Sequence, residues 1–198
     1  MNKKDNDMIN ILYVHGFASS MHSSTSIRLK REFAEYNIHS IEVNHKCKES
    51  ISKIEKYITE HNITTVIGTS LGGFYTLHLD ANLSVNRIVI NPALYPSNDL
   101  KPFLGLNKYL CDRDDKQDEF VLTQENLDEF SLIEKTPVND SYCFYSTNDE
   151  LLSYQNEYKS LFKDKAYETT CMNHRITNEF INTDLYFFLH NLLDKWWE

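Results

Sequence analysis

The stretch TVIGTSLGG, residues 65–73, decides the fold of this chain. It joins a β-branched run that predicts a strand to a segment that predicts a helix, with G-x-S-x-G at the turn. So tight a turn leaves no room for side chains two residues before and after the serine, and Gly68 and Gly72 remove them. Ser70 is therefore predicted to project from the carboxyl end of a strand, at a helix N-terminus that favours developing negative charge. The alternative is that the glycines only permit a tight turn, with Ser70 as a helix cap.

Short apolar runs alternate with longer amphipathic stretches along the rest of the chain. This alternation predicts an α/β fold, with a mainly parallel sheet of about six strands and helices on both faces. The predicted strands are 9–14, 40–43, 65–68, 87–91, 142–145 and the more polar 167–170. The predicted helices are 26–35, 49–61, 72–83, 151–162 and 178–193.

The segment 93–136 interrupts the alternation, because it is too long for a simple connection and contains prolines and an acidic run at 112–119. In a sheet of this kind, an insertion after the fourth strand lies over the carboxyl ends of the strands, where ligands bind. We therefore expect one domain over residues 1–198 with a lid-like insertion at about 93–136. The acidic run is expected to be a solvated face of that insertion.

The amino-acid composition and net charge of the chain limit which kinds of binding partner are expected. The chain has 198 residues, 41% of them hydrophobic, and a formal net charge of −9. Without clustered Lys and Arg, neither nucleic acid nor a membrane surface is an expected partner. No signal-like or membrane-spanning apolar run is apparent, so a cytoplasmic location is expected, and the four scattered cysteines are interpreted as reduced thiols.

A serine that attacks an acyl group needs at least two donors for the oxyanion. The N–H of Leu71 is one candidate because Leu71 follows the nucleophile, and the loop HGFASS at 15–20 offers the N–H of Phe17. His15 is expected to bond the backbone of this loop and hold the donors in place, with Gly16 as a further supporting residue.

An acid and a histidine should follow the nucleophile along the chain, each in a loop at the carboxyl end of a strand. Asp149 follows the strand at 142–145, with Glu150 as a competitor that is disfavoured because it begins the next predicted helix. His174 follows the strand at 167–170. The sequence thus predicts Ser70 as nucleophile, His174 as general base and Asp149 as the acid that orients it.

A metal site could be assembled from His15, His45 and His174. The chain has no H-E-x-x-H motif, however, and an activated serine makes a metal unnecessary. We therefore expect neither a metal nor a cofactor.

Five segments together resemble the YqiA-type esterases, which are small bacterial α/β-hydrolases. They are YVHGF at 13–17, GTSLGGF at 68–74, NPA at 91–93, TNDE at 147–150 and NHR at 173–175. The resemblance covers nearly the whole chain and implies a reduced α/β-hydrolase fold that lacks the first two strands of larger relatives. It also implies esterase activity on simple acyl esters or acyl-thioesters such as acyl-CoA. The chain departs from the family pattern at two places. Asn173 lies in a stretch where relatives tend to be Gly- and Asp-rich, and the insertion is strongly acidic. Both departures bear on the identity of the substrate.

The first functional hypothesis is a serine esterase or thioesterase that acts through an acyl-enzyme on Ser70. An acyltransferase or lyase on the same fold, and a binding protein with a relict site, remain alternatives. A small acyl ester or thioester is the expected partner of a monomer or homodimer, because the apolar C-terminal segment with Trp196 and Trp197 suits either a core or an interface. The candidate acyl-pocket residues, which could equally pack the insertion onto the domain, are Tyr95, Phe103, Leu104 and Leu106.

Overall fold

A computed structural model describes residues 8–136 and 138–193, and Trp196 and Trp197 lie outside these residues. The strands are β1 (Asn10–Val14), β2 (Asn37–Ile41), β3 (Thr65–Thr69), β4 (Asn86–Ile90), β5 (Gly105–Lys108), β6 (Glu119–Leu122), β7 (Tyr142–Ser146) and β8 (Ala166–Thr169). Six of them form one sheet in the order β2-β1-β3-β4-β7-β8, and every neighbouring pair is parallel. The α/β fold class predicted from the sequence is confirmed.

The helices connect these strands across both faces of the sheet. They are α1 (Ser24–Glu32), α2 (Cys47–Glu60), α3 (Leu71–Leu77), α4 (Pro96–Asp99), α5 (Gln124–Ile133), α6 (Gln155–Phe162), α7 (Asn178–Phe180) and α8 (Tyr186–Leu193). A π-helical stretch, Ile181–Leu185, joins α7 to α8. Among the described residues, no helix combines the length and the apolar character needed to cross a membrane.

Both faces of the sheet are buried. Ile11 and Leu12 are neighbours in β1 and both are inaccessible to solvent, although successive residues of a strand point to opposite faces. One face packs against α2, α3 and the insertion, and the other packs against α1 and the C-terminal helices. Because both faces of the central strands are covered, β1, β3 and β4 read in the sequence as mostly apolar runs.

Several predicted boundaries were wrong. The second strand lies at Asn37–Ile41 instead of 40–43, because its register is set by a bond from the Asn37 N–H to the Ile9 carbonyl, at 2.9 Å. The helix predicted at 72–83 ends at Leu77, since His78 leaves the helical region at φ −111° and ψ 15°.

The helix predicted at 151–162 also begins later, at Gln155. The N–H groups of Leu151 and Leu152 each donate to the Asp149 carboxylate, at 2.8 Å. These residues therefore form a turn around the Asp149 side chain instead of the first turn of a helix.

The insertion contains α4, a 3₁₀ turn at Lys101–Phe103, the antiparallel hairpin β5-β6 and α5. It shares the core of the domain, because Phe120, Leu122 and Phe130 are buried in the same apolar cluster as residues of β1, α2 and α3. In addition, Glu129 of α5 accepts a hydrogen bond of 2.7 Å from the backbone N–H of Cys47, at the first turn of α2.

Candidate active site

Ser70 lies at the sharp turn between β3 and α3, with φ 52° and ψ −119°. A non-glycine residue rarely adopts a positive φ, and holding one there costs on the order of 1–3 kcal/mol. The Ser70 N–H donates to the carbonyl of Ile90, at 3.1 Å, and the Ser70 carbonyl accepts from the N–H of Ala93, at 3.0 Å. The end of β4 and the segment after it therefore fix the strained turn.

The two glycines of the motif are required by close approach of the backbone. A Cβ on Gly68 would overlap the carbonyl oxygen of Gly72, and a Cβ on Gly72 would overlap the carbonyl oxygens of Val14 and His15. Because backbone atoms cannot swing aside as a long side chain does, helix α3 can begin this close to β1 only with glycine at these positions.

Ser70, His174 and Asp149 lie in one hydrogen-bonded series. The Nε2 atom of His174 is 3.1 Å from the Ser70 Oγ, and its Nδ1 atom is 2.9 Å and 3.1 Å from the two carboxylate oxygens of Asp149. The Asp149 side chain is 1% exposed and that of His174 is 13% exposed. The sequence prediction named these three residues, and the structure brings them together from the ends of β3, β7 and β8.

Glu150, the competitor of Asp149, faces a different atom of the same histidine. Its carboxylate accepts the backbone N–H of His174 at 3.1 Å, and this bond is the main reason why the pKa of Glu150 is lowered. Glu150 thus contacts the backbone that carries the histidine, whereas Asp149 contacts the imidazole.

Asn91 is a site residue that the sequence reasoning missed. Its side chain donates to the carbonyl of Asn173, at 2.9 Å, and accepts the N–H of Ser146, at 2.8 Å. Asn91 is buried, with φ 43°, and thereby joins the ends of β4 and β7 to the loop that carries His174. The sequence feature that could have identified Asn91 is an asparagine directly after a predicted buried strand. Asparagine adopts a positive φ more readily than most residues do, so it suits a sharp turn at a strand end.

The loop after β1 lies against the serine. A Cβ on Gly16 would be 3.1 Å from the Ser70 Cβ, so this loop passes closer to the serine than most side chains would allow. Leu71 is the first residue of α3, where the N–H has no partner within the helix. The predicted donors on Phe17 and Leu71 therefore belong to two segments that meet at Ser70.

His15 is buried behind this loop and hydrogen-bonds to backbone on both sides. Its Nδ1 is 2.9 Å from the Gly16 carbonyl oxygen, and its Nε2 accepts the N–H of Val43, at 3.2 Å. This pattern assigns the neutral imidazole with the proton on Nδ1. His15 thus links the loop after β1 to the loop after β2.

A small cavity of about 10 Å³ lies beside the same loop. Gly16, Phe17 and Leu71 line one side, and Tyr109 and Phe120 of the insertion line the other. This volume accommodates roughly one water molecule.

None of the predicted acyl-pocket residues lines this cavity. All four are exposed, namely Tyr95, Phe103, Leu104 and Leu106. Phe103 contacts Phe17, with ring centroids 5.4 Å apart, and Tyr95 contacts Tyr154 at the same separation. Phe103 therefore borders the loop after β1, while Tyr95 packs on the segment that follows Asp149.

The acidic run of the insertion is solvated except at Arg113, which is buried. The prediction of a solvated face was wrong at this position, because the guanidinium turns inward. Within residues 8–136 and 138–193, no three His, Cys, Asp or Glu side chains are grouped closely enough to hold a metal ion.

Similar solved structures have the same fold. Alpha/beta hydrolase domain-containing protein 10 from mouse is 13% identical, with a TM-score of 0.67 over 94% of this chain and 90% of that one. Est1E from Butyrivibrio proteoclasticus is 13% identical, with a TM-score of 0.65 over 96% and 91% of the two chains. The esterase domain of a Rhodothermus marinus protein is 15% identical, with a TM-score of 0.57 over 99% and 88%. At these identities the likeness shows the α/β-hydrolase fold.

The sequence itself matches the family described as "Uncharacterised protein family (UPF0227)" over residues 10–184. A UPF0227 protein from Vibrio atlanticus is 27% identical over 99 residues, which cover 46% of this chain and 54% of that protein. The match thus spans about half the length of this curated relative. Since the family match extends over most of the chain and includes the whole hydrogen-bonded series, the chain belongs to UPF0227, the family of the YqiA-type proteins that its motifs resemble.

Proposed function

We propose that this protein is a serine hydrolase that cleaves small acyl esters or acyl-thioesters through an acyl-enzyme on Ser70. The observation that carries the proposal is the unbroken series from the Ser70 hydroxyl through His174 to the Asp149 carboxylate. A serine hydroxyl is a weak nucleophile unless a neighbouring base removes its proton. Here the base is in hydrogen-bond contact, and a buried carboxylate fixes its orientation.

In the first half of the reaction, the Ser70 Oγ attacks the carbonyl carbon while its proton passes to Nε2 of His174. The negative charge on the former carbonyl oxygen is stabilised by the N–H groups of Phe17 and Leu71. Asp149 stabilises the imidazolium. His174 then returns the proton to the leaving oxygen or sulfur, the bond to the leaving group breaks, and the acyl group stays on Ser70.

In the second half, water attacks the acyl-enzyme and gives a proton to His174, which returns it to the Ser70 Oγ as the carboxylic acid departs. A thiol is more acidic than an alcohol, so a thiolate leaves with less help from His174 than an alkoxide needs. The same residues can therefore serve esters and thioesters such as acyl-CoA.

Two further observations support hydrolysis of a small acyl substrate. The Rhodothermus marinus protein, which shares this fold, is titled as an esterase domain, and one structure of Est1E, which also shares it, is titled as having ferulic acid bound. The cavity beside Phe17 and Leu71 measures about 10 Å³, room for roughly one water molecule, so it leaves no space for a long acyl chain beside the donors. The exposed rings of Tyr95 and Phe103 would then contact the rest of the substrate.

We also propose that the protein works in the cytoplasm. The four cysteines are all free, and Cys47 and Cys143 are buried, where desolvation raises the pKa of both thiols. Buried neutral thiols of this kind pack as small apolar groups, which suits a reducing compartment.

The proposal is tested by measuring hydrolysis of p-nitrophenyl acetate by the wild type and by Ser70→Ala. We expect activity to fall by about 10³-fold or more, as for a removed nucleophile. Ser153→Ala, which changes an exposed serine, is the matched control and should keep wild-type activity. Full activity in Ser70→Ala would exclude Ser70 as nucleophile.

A second measurement separates the alternatives. Covalent labelling of Ser70 by a fluorophosphonate, absent in Ser70→Ala, would exclude a relict binding site. Hydrolysis in ¹⁸O-labelled water should then place one labelled oxygen in the released acid, whereas an acyltransferase would leave the acyl group on its acceptor.

A further inference from the structure

Arg113 is a buried cation in the acidic run of the insertion. Its side chain is 3% exposed, and it is the only residue from 112 to 119 that does not face solvent. It stacks on Tyr109, with the guanidinium carbon 4.1 Å from the ring centroid, and its Nε and Nη2 atoms donate to both carboxylate oxygens of Asp115, at 2.8–3.3 Å. The side chain is thus held rigidly from within the insertion.

The remaining nitrogen of the guanidinium reaches two loops of the central domain. Nη1 donates to the carbonyl of Ser19, at 3.2 Å, and to that of Val43, at 3.1 Å, and it is 2.8 Å from the Glu42 carboxylate. Ser19 is two residues beyond Phe17, whose N–H is the proposed oxyanion donor. Val43 donates its own N–H to His15.

Glu42 connects this cation to the base of the oxyanion loop, residues 15–20. One of its carboxylate oxygens faces Arg113 and lies 3.5 Å from Nε2 of His15, and the other accepts the N–H of Met21 at 3.2 Å. Burial by itself would raise the pKa of Glu42, but its other neighbours, among them the positive charge of Arg113 and the N–H of Met21, outweigh burial and lower it. Glu42 therefore stays ionised beside Arg113.

A second contact ties the insertion to the oxyanion loop next to Phe17. The N–H of Leu110 donates to the carbonyl of Ala18, at 2.7 Å. Ala18 has φ 54°, an unfavourable conformation for a residue with a side chain, so it needs external support. Contacts from Leu110 and Arg113 thus fix the two residues that follow Phe17.

We propose that Arg113 is a positioning residue that clamps the oxyanion loop from the insertion, so that the Phe17 N–H points at the oxyanion. This inference rests on the proposed function. A buried ion pair is weak evidence of stabilisation, because apolar residues of similar volume often stabilise a fold as well or better. The planar guanidinium of Arg113 bridges the insertion, the loop after β1 and the loop after β2. It therefore fixes the relative positions of these segments, which the single ammonium group of a lysine cannot do. The insertion is then a fixed wall of the site at this end.

The test compares Arg113→Met, Arg113→Lys and the double variant Arg113→Met/Glu42→Gln with the wild type. Arg31→Met, at an exposed arginine, is the matched control. Two quantities are measured: kcat and KM for p-nitrophenyl acetate, and hydrogen–deuterium exchange of the peptide that covers residues 15–20. Loss of one oxyanion donor costs about 10²–10³-fold in kcat. A loosened donor in Arg113→Met should therefore cost about tenfold, with KM within about twofold.

We expect faster exchange at residues 15–20 in Arg113→Met, unchanged exchange in β3, and an intermediate kcat in Arg113→Lys. If Arg113→Met does not fold, the double variant decides, because it leaves no unpaired Glu42 charge and should show the same low kcat and fast exchange. Wild-type exchange at residues 15–20 together with wild-type kcat in the folded variants would overturn the clamp. If the wild type shows no Ser70-dependent hydrolysis, the proposed function fails, and exchange alone then decides the clamp.

Discussion

The two sides of the candidate site are built in different ways. On the histidine side, Asn91, Asp149 and His174 all follow strands of the central sheet, and short hydrogen bonds between neighbouring strand ends hold them. On the proposed oxyanion side, the loop that carries Phe17 is held from outside the sheet, by Arg113 and other residues of the insertion.

Each side of the site meets a different requirement of acyl-transfer chemistry. The proton-transfer groups need fixed mutual distances, and parallel strands whose carboxyl ends meet at one edge supply these distances. The oxyanion donors need to fit a particular substrate, and a segment outside the sheet can change without disturbing the strands. Variants on the histidine side should therefore lower kcat for every ester, whereas variants on the oxyanion side should also change which ester is preferred.

The largest effect is expected for Asp149→Asn on the histidine side. The amide keeps the shape but no longer holds the proton on Nδ1 of His174, and kcat should fall by about 10³–10⁴-fold, as in serine enzymes with a Ser-His-Asp triad. Glu150→Gln is the matched control, because Glu150 contacts only backbone of the histidine loop, and it should cost about threefold or less in kcat. A larger loss in Glu150→Gln than in Asp149→Asn would reverse the assignment of the acid.

The next largest effect is expected for Asn91→Gly, which removes the side chain that joins β4 to the histidine loop while still permitting φ 43°. Loss of buried hydrogen bonds that leaves their partners unsatisfied should lower the free energy of unfolding by about 2–3 kcal/mol. It should also lower kcat by about tenfold, because His174 is less well oriented. Urea unfolding and ester hydrolysis measure the two effects.

Asn62→Gly is the control for this variant, since Asn62 also has a positive φ, of 50°, but lies in an exposed turn. It should leave kcat unchanged. Equal kcat in both glycine variants would mean that Asn91 does not orient the histidine.

The smallest effect concerns stability on the side of the insertion. His78 follows α3, packs on Phe74 and donates to the hydroxyl of Thr136, at 3.0 Å, and burial lowers its pKa to about 4. Between pH 6.5 and pH 4 the unfolded chain binds a proton that the folded chain excludes, so stability falls as the pH falls through this window. After allowance for solvent screening, we expect the free energy of unfolding to fall by about 2 kcal/mol across this window because of His78.

His78→Asn should reduce this slope in urea unfolding between pH 4 and pH 6.5, whereas His61→Asn, at an exposed histidine, should leave it largely in place. An unchanged slope in His78→Asn would assign the acid sensitivity to other groups.

Sequence patterns anticipated the histidine side better than the oxyanion side. The α/β alternation and the position of Ser70, Asp149 and His174 after strands follow from local signals, because the end of each apolar run is visible in the sequence. The boundary of β2 was missed because its register depends on pairing with β1, which no local pattern reports.

Long-range hydrogen bonds were not predictable in the same way. Asn91 and Asn173 are separated by 82 positions, and Arg113 and Ser19 by 94. The acidic run contains two basic residues, Arg113 and Lys116, and their charge alone gives no indication that only Arg113 turns inward. Burial decides that point, and burial depends on the whole fold.

The contact between Glu129 and Cys47 has a consequence for the modularity of the chain. A carboxylate of the insertion satisfies a backbone donor at the start of α2, and α5 completes the apolar cluster beneath that helix. Excision of residues 93–136 would therefore leave a helix end uncapped and a face of the core open to water. For protein engineering, the segment is consequently a poor unit of exchange between related enzymes unless the partner positions in α2 are transplanted together with it.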